Sequence, residues 1–231
     1  MNYILEGLVQ AFRLLARGDP ETFSALEATV RSSSLAMLAS LVLGLPLGFV
    51  LGHGRFRGRR LLRTLVDTCL ALPTVLIGLV VYSFLSRRGP LGDWGMLFTL
   101  PGLAIGQAIL ALPVVMALTA TAVEGLDRRL GLTLLTLGAS RRQLALTTLW
   151  EARQGLLAAA VNAYGRVVTE VGIAMMVGGN IKWHTRTVTT AIALETGKGE
   201  FAQGIALGII LLGLALLVNL GLIRLRRGAT P

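Results

Sequence analysis

The chain has 231 residues, and its composition excludes an ordinary soluble domain. Hydrophobic residues make up 54% of it, charged residues only 15%, and the mean hydropathy is +0.71, whereas a typical soluble domain carries roughly 25% charged residues. Several apolar runs exceed the roughly 18 residues that cross a ~30 Å hydrocarbon core. We therefore predict an all-α, polytopic membrane protein.

The formal net charge of +10 does not indicate nucleic-acid binding. The arginines are divided among separate loops, whereas a nucleic-acid surface needs one basic patch or stripe. Arginines in membrane proteins gather in cytoplasmic loops, where they set the orientation and meet anionic lipid. The predicted partner of this charge is the lipid bilayer. The single cysteine, Cys69, lies in an apolar run and is expected to be a packing residue.

Residues 1–24 form an N-terminal amphipathic segment. Its polar side chains recur at helical spacing and make one stripe: Glu6, Gln10, Arg13 and Arg17. A signal peptide needs positive charge before its apolar stretch and a small-residue cleavage site after it, and neither is clear here. We predict a helix in the membrane interface that ends at Asp19-Pro20, because proline cannot continue the hydrogen-bond ladder.

Five apolar segments of membrane length follow, at about 29–52, 64–85, 100–123, 155–180 and 201–223. Thirteen arginines and lysines fall on one side of this arrangement and seven on the other. The positive-inside rule then predicts an outside N-terminus and a cytoplasmic tail, residues 225–231. The first three spans contain Pro46, Pro73 and Pro113, and proline bends a membrane helix. Such bends either serve only the packing of the helices or belong to helices around a conduit that changes shape.

The fourth span carries an unusual pair of charges. Arg166 and Glu170 are four residues apart and lie near its centre, so a continuous helix places them on one face. Charges at the membrane midplane face each other or a polar interior. The pair is therefore either an ion pair that neutralises itself or part of a polar pathway, and Asn162 extends the same stripe.

The basic segment from Glu124 to Arg153 is too charged to cross a bilayer. Within it, the stretch from Leu130 to Arg153 is predicted to form two short helices with a turn at Gly138-Ala139-Ser140, since glycine suits unusual backbone angles. Arg141 and Arg142 follow the turn. Such a helix on the cytoplasmic surface is either a docking element for a partner or a solvated amphipathic loop.

Signatures of enzymes are missing from the sequence. It contains no Gly-x-Ser-x-Gly and no His-Glu-x-x-His, and its two histidines, His53 and His184, are predicted on opposite sides of the membrane. Residues 197–199, Gly-Lys-Gly, lack the other elements of a P-loop. We predict no catalytic residue, no metal site and no bound cofactor in this chain. If the chain moves a solute uphill, another subunit must supply the energy.

The stretch TLGASRRQLALTTLWEARQGLLAAAVNAYGRVVTEVG resembles the cytoplasmic loop and following helix of binding-protein-dependent ABC transporter permeases. Gly138 matches the loop glycine, while Leu132-Thr133-Leu134 and Trp150-Glu151 stand where that family has Glu-Ala-Ala and Leu-Pro. Residues 70–92 and 170–212 look like molybdate and tungstate permeases, and MMVGGNI followed by TTAIALET looks most like the tungstate branch. The resemblance covers residues 25–224, which we expect to form the transmembrane permease domain.

The resemblance implies the type I ABC importer fold in the cell (inner) membrane, with two copies of the chain in a homodimer. It also implies two ABC ATPase subunits, which bind ATP and Mg²⁺, and an extracytoplasmic anion-binding protein. The residues expected to form the ATPase-docking loop are Gly138, Ala139, Ser140, Arg141 and Arg142. The candidates for the pathway wall or gate are Pro73, Asn162, Arg166 and Glu170.

The expected cargo is tungstate, and the same machine for molybdate or sulfate is the alternative. A membrane interaction or sensory protein without a conduit is an alternative of another class. It predicts no ATPase bound through residues 124–155. An intramembrane enzyme is disfavoured, because no nucleophile and base occur together in the sequence.

Overall fold

A computed structural model describes residues 3–54 and 56–228, and that part of the chain is helical without strands. Arg55, one of five arginines in the first predicted loop, and residues 229–231 of the predicted tail lie outside it. The ten α-helices are α1 Tyr3–Arg17, α2 Pro20–His53, α3 Arg59–Cys69, α4 Thr74–Leu85, α5 Leu100–Glu124, α6 Arg128–Thr136, α7 Arg141–Glu151, α8 Arg153–Val168, α9 Val188–Gly197 and α10 Phe201–Gly228.

Helix α1 confirms the predicted amphipathic helix and its end. The carboxylate of Asp19 accepts a hydrogen bond from the backbone N–H of Thr22 (2.8 Å) and caps α2, whose first residue is Pro20. The buried face of α1 is formed by small residues, because Gly7 and Ala11 pack against α10. Leu14 is half-buried against the same cluster, and the other large apolar side chains of α1 are exposed.

Helices α2 and α5 form the centre of the fold and run parallel. Ser40 Oγ donates to the Ala108 carbonyl at 3.2 Å, and two turns later a Cβ on Gly48 would lie 2.7 Å from the Met116 carbonyl oxygen. Small residues therefore bring the two backbones into direct contact, as in other membrane helix pairs.

Within the described residues, three helices are long and apolar enough to cross a membrane, namely α2, α5 and α10, and the bent pair α3–α4 makes a fourth if it counts as one span. Two of the five predicted spans are interrupted in the structure. The second predicted span breaks between Cys69 and Thr74 with a bend of 98°. The fourth breaks after Val168. Pro46 and Pro113 do lie inside α2 and α5.

The loop after the fourth predicted span is tied to the start of α2. Glu21 forms an ion pair with Lys182 at 2.6 Å and a second one with Arg186. Arg186 also donates from Nε to the Asn180 side-chain oxygen at 3.1 Å. Asn180 has a positive φ of 51° and follows the end of the helical segment, as its sequence position predicts.

Candidate functional site

The first break separates α3 from α4 and consists of residues 70–73. Helix α3 is strongly amphipathic, whereas α4 is apolar, so the sharp bend separates two helices of different chemistry. Pro73 has an extended backbone (φ −61°, ψ 127°) and stands at the N-cap of α4. It is exposed and immediately precedes α4, so Pro73 lies at the bend between two helices and not inside a continuous one.

The second break follows α8 and is centred on Glu170. This residue is only 7% exposed, and its carboxylate accepts a hydrogen bond from the backbone N–H of Ile173 at 3.0 Å. Its carbonyl accepts from the Thr189 hydroxyl at 2.9 Å. Helical structure resumes at residues 172–178, with a π-helical turn over Ala174–Gly178. Glu170 thus caps the second half of a broken helix.

The two breaks lie against each other. A Cβ on Gly172 would meet Thr74 Oγ1 at 3.0 Å and the Val75 backbone nitrogen at 3.1 Å. Arg166 Nη2 donates to the carbonyl of Leu70 at 3.1 Å and so joins α8 to the first break. Non-helical backbone at membrane depth is tolerated only where protein covers it or where it lines a water-filled cavity.

Arg166 and Glu170 do not form the ion pair that a continuous helix allows. α8 ends at Val168, between them. Within the described ranges, the ion pairs do not include one between these two residues. Arg166 is half-buried, and Asn162, one turn earlier, is exposed and donates to the Ala158 carbonyl at 2.9 Å. The arrangement leaves a guanidinium at the junction of two breaks, where it can attract an anion.

The basic segment forms the predicted helix pair. Gly138 ends α6 with a φ of 78°, and nothing lies within 4 Å of the position its Cβ would take. Ser140 caps α7 through a reciprocal pair of hydrogen bonds with Gln143, 3.3 and 2.8 Å long. Arg141 and Arg142 are exposed in the first turn of α7. We call α6, the turn 137–140 and α7 the docking pair.

Comparison with known proteins assigns the family. The family model described as "Binding-protein-dependent transport system inner membrane component" matches residues 44–228. The chain belongs to this family. It is 46% identical to the tungstate uptake system permease protein of Campylobacter jejuni, covering 98% of this chain and 95% of that one. It is 36% identical to the tungstate uptake system permease protein of Peptoclostridium acidaminophilum, over 95% and 96% of the two chains.

A solved structure supports the same fold. A chain of the MetNI methionine ABC transporter, determined in an inward-facing conformation, superimposes with a TM-score of 0.75 and covers 92% of this chain and 99% of its own length. The identity is 19%, so this likeness bears on the fold alone. The type I importer permease fold predicted from the sequence is confirmed.

The docking pair of this family member carries apolar residues that the sequence analysis missed. The most exposed is Leu137 at 77%, immediately before Gly138, and Trp150 in α7 is 66% exposed. The guanidinium of Arg153 lies 4.8 Å from the centre of the Trp150 ring. Exposed large apolar groups beside charged ones are typical of protein interfaces. The position of Leu137 next to the turn glycine was the feature of the sequence that could have predicted this exposed apolar surface.

A second missed feature of the permease is an arginine clamp where α2 and α5 end and α3 begins. Arg59 donates from Nε to the Leu51 carbonyl (2.7 Å) and from Nη2 to the Gly52 carbonyl (3.1 Å) and pairs with Glu124 (2.5 Å). Arg63 donates to the Thr121 hydroxyl at 2.8 Å. The sequence analysis treated these arginines only as orientation signals, but they fasten α3 to the ends of α2 and α5.

The clamp adjoins the docking pair. Glu124 is the last residue of α5, and Asp127 caps α6 by accepting from the Arg129 backbone N–H at 2.9 Å. A cavity of about 970 Å³ lies between the docking pair, the ends of α2 and α5 and the start of α3, with Arg59 and Glu124 in its wall. The clamp therefore connects the start of the docking pair to α3, and α3 leads to the first break.

Proposed function

We propose that this chain is the membrane-spanning permease subunit of an ABC importer for tungstate. The observation that carries the cargo is the 46% identity, over nearly the whole of both chains, to a protein named as a tungstate uptake permease. Tungstate is a tetrahedral dianion. A buried route for it needs positive charge and hydrogen-bond donors, and the junction of the two breaks holds a guanidinium.

The pathway runs past the two breaks, with Pro73, Asn162, Arg166 and Glu170 in its wall or gate. Arg166 supplies the attraction for the anion, and its anchor on Leu70 holds the guanidinium at the junction. Glu170 acts indirectly, because its carboxylate is engaged in capping residues 172–178. Broken helices at membrane depth are a recurring construction of transporter binding sites.

The working form is a homodimer. The exposed face of α8 presents Asn162 and Thr169, and polar side chains at this depth must face protein or a water-filled cavity rather than lipid. A single copy leaves that face open. A second copy packed against it encloses a pathway and covers the polar stripe of both subunits.

Each docking pair binds one ABC ATPase subunit. Gly138, Ala139 and Ser140 shape the turn, and Arg141 and Arg142 flank it with positive charge. The ATPase subunits bind ATP and Mg²⁺ and hydrolyse the nucleotide, while the permease carries no such site. The clamp transmits movement of the docking pair to α3 and so changes the first break. The pathway then switches between opening inward and opening outward.

An extracytoplasmic binding protein delivers the anion to the opposite end, in the inner membrane of the cell. The N-terminus lies outside and the tail lies in the cytoplasm, in agreement with the distribution of arginine and lysine among the loops. Residues 25–224 act as the permease domain, preceded by the amphipathic segment 1–24 and followed by the tail 225–231.

Substrate competition in vesicles tests the cargo. The complex of this chain with its ATPase and binding protein is reconstituted, and ATP-dependent uptake of tungstate, molybdate and sulfate is compared over a range of concentrations. The proposal requires tungstate uptake at the lowest concentration. Preferential uptake of molybdate or sulfate keeps the mechanism and replaces the cargo, whereas an intact complex that moves none of the three anions contradicts the proposal.

A further inference from the structure

The groove beside α1 has no part in the proposed transport. It has a volume of about 810 Å³ and is bounded by α1, by the start of α2 and by Ala202 near the start of α10. Its apolar lining includes Leu5, Val9 and Leu14, and its other end is lined by Arg13 and Arg17. The groove therefore has an apolar part and a positively charged part.

Neither arginine of the groove is used inside the protein. Arg13 and Arg17 are exposed and one helical turn apart, and no hydrogen bond or ion pair joins either of them to another residue of the described chain. The Asp19 carboxylate nearby is occupied by the Thr22 backbone N–H and hydroxyl, at 2.8 and 2.7 Å. Glu6 lines the far end, seven residues before Arg13, which is about 10 Å along the helix axis.

The outer side of α1 fits a position among acyl chains. Its buried face consists of Gly7 and Ala11 against α10, with Leu14 half-buried beside them, and six large apolar residues are exposed: Ile4, Leu5, Leu8, Val9, Phe12 and Leu15. In a membrane protein such a surface meets lipid rather than water. The arginines then lie where an amphipathic helix places its basic residues, next to the phosphate groups.

We propose that this groove binds one anionic phospholipid. The phosphate accepts hydrogen bonds from Arg13 and Arg17, and one acyl chain lies along Leu5 and Val9. Two arginines around one phosphate select an anionic headgroup over a zwitterionic one, whose ammonium group they repel. The inference is independent of the identity of the transported anion.

Native mass spectrometry of the purified permease with its ATPase partner tests the site. The complex is titrated with phosphatidylglycerol and, separately, with phosphatidylcholine. We expect tight retention of phosphatidylglycerol, and binding weaker by on the order of tenfold in the Arg13→Gln/Arg17→Gln variant. The Arg13→Lys/Arg17→Lys variant keeps the preference. Arg87→Gln/Arg88→Gln is the matched control, because it removes two exposed arginines from a loop away from the groove. It leaves the retention of phosphatidylglycerol unchanged.

Three results overturn the proposal. Equal retention of both lipids by the wild type shows that charge does not select the occupant. Unchanged phosphatidylglycerol binding in Arg13→Gln/Arg17→Gln places the lipid elsewhere. Displacement of the lipid by millimolar inorganic phosphate identifies a free-anion site instead. Because the readout is bound lipid, it gives an answer even if the complex transports a different anion from the one proposed.

Discussion

Arg166 donates a hydrogen bond to the backbone carbonyl of Leu70, across 96 positions of sequence, at 3.1 Å. The donor lies in the last turn of α8, and the acceptor lies in the break between α3 and α4. One side chain thus joins the two interrupted helices of the fold, and its remaining N–H groups are available to an anion.

Replacing Arg166 by Gln is expected to reduce ATP-dependent uptake by about tenfold or more, because a charge-assisted hydrogen bond of roughly 1.5–3 kcal/mol is removed together with the positive charge at the junction. Uptake into vesicles, measured at equal amounts of assembled complex, checks this. Arg87→Gln removes an exposed arginine from a loop and is expected to transport normally. Normal uptake by Arg166→Gln would exclude Arg166 from the pathway.

We predict that adding even a methyl group at Gly172 destabilises the protein. A Cβ there meets Thr74 Oγ1 and the Val75 nitrogen at 3.0 and 3.1 Å, whereas a Cβ on Gly213 meets nothing within 4 Å. Overpacking costs about 1–3 kcal/mol, so Gly172→Ala is expected to lower the Tm of the complex. Gly213→Ala, the matched control on α10, is expected to keep or raise it. Equal Tm values for the two variants would contradict the close packing of the breaks.

Gly138→Leu tests the turn of the docking pair. The φ of 78° costs an L-residue about 1–2 kcal/mol, and a leucine there also projects from the proposed ATPase interface. We expect normal membrane insertion but loss of the co-purifying ATPase and of uptake. Gly199→Leu is the control, since Gly199 also has a positive φ, of 84°, with open space around it, but lies outside the docking pair. Retained ATPase binding by Gly138→Leu would argue against the docking role.

The clamp predicts unequal effects at its two partners. The Arg59–Glu124 ion pair is one-third exposed and alone stabilises by less than about 1 kcal/mol. Arg59 also binds the Leu51 and Gly52 carbonyls, which adds a further 1–3 kcal/mol or so. Arg59→Ala should therefore lower the Tm clearly more than Glu124→Ala, and the double variant should resemble Arg59→Ala. Additive losses in this double-mutant cycle would mean that the two residues act separately.

The sequence predicted the elements whose signals are local. The polar stripe of α1 and the Asp19-Pro20 stop, the apolar length of α5, and the glycine turn of the docking pair are each contained within a few turns of chain. The structure confirms these elements. The resemblance to ABC permeases added the fold, which no local pattern specifies.

The breaks and the clamp could not be predicted in the same way. A hydropathy profile averages over a window of residues. An apolar run that contains Leu-Pro or Thr-Glu is therefore predicted as one continuous helix. The spacing of Arg166 and Glu170 indicated an ion pair only because the helix was assumed to be unbroken. The partners of both side chains, Leu70 and Ile173, are backbone groups, and backbone groups carry no signal in a sequence.

Uptake by the reconstituted complex tests most directly whether this chain moves tungstate. Vesicles containing the permease, its ATPase and its binding protein are given tungstate, molybdate or sulfate with and without ATP. We predict ATP-dependent accumulation of tungstate at concentrations that give no uptake of the other two anions. Accumulation of molybdate or sulfate in preference to tungstate, or no accumulation by an intact complex, would contradict it.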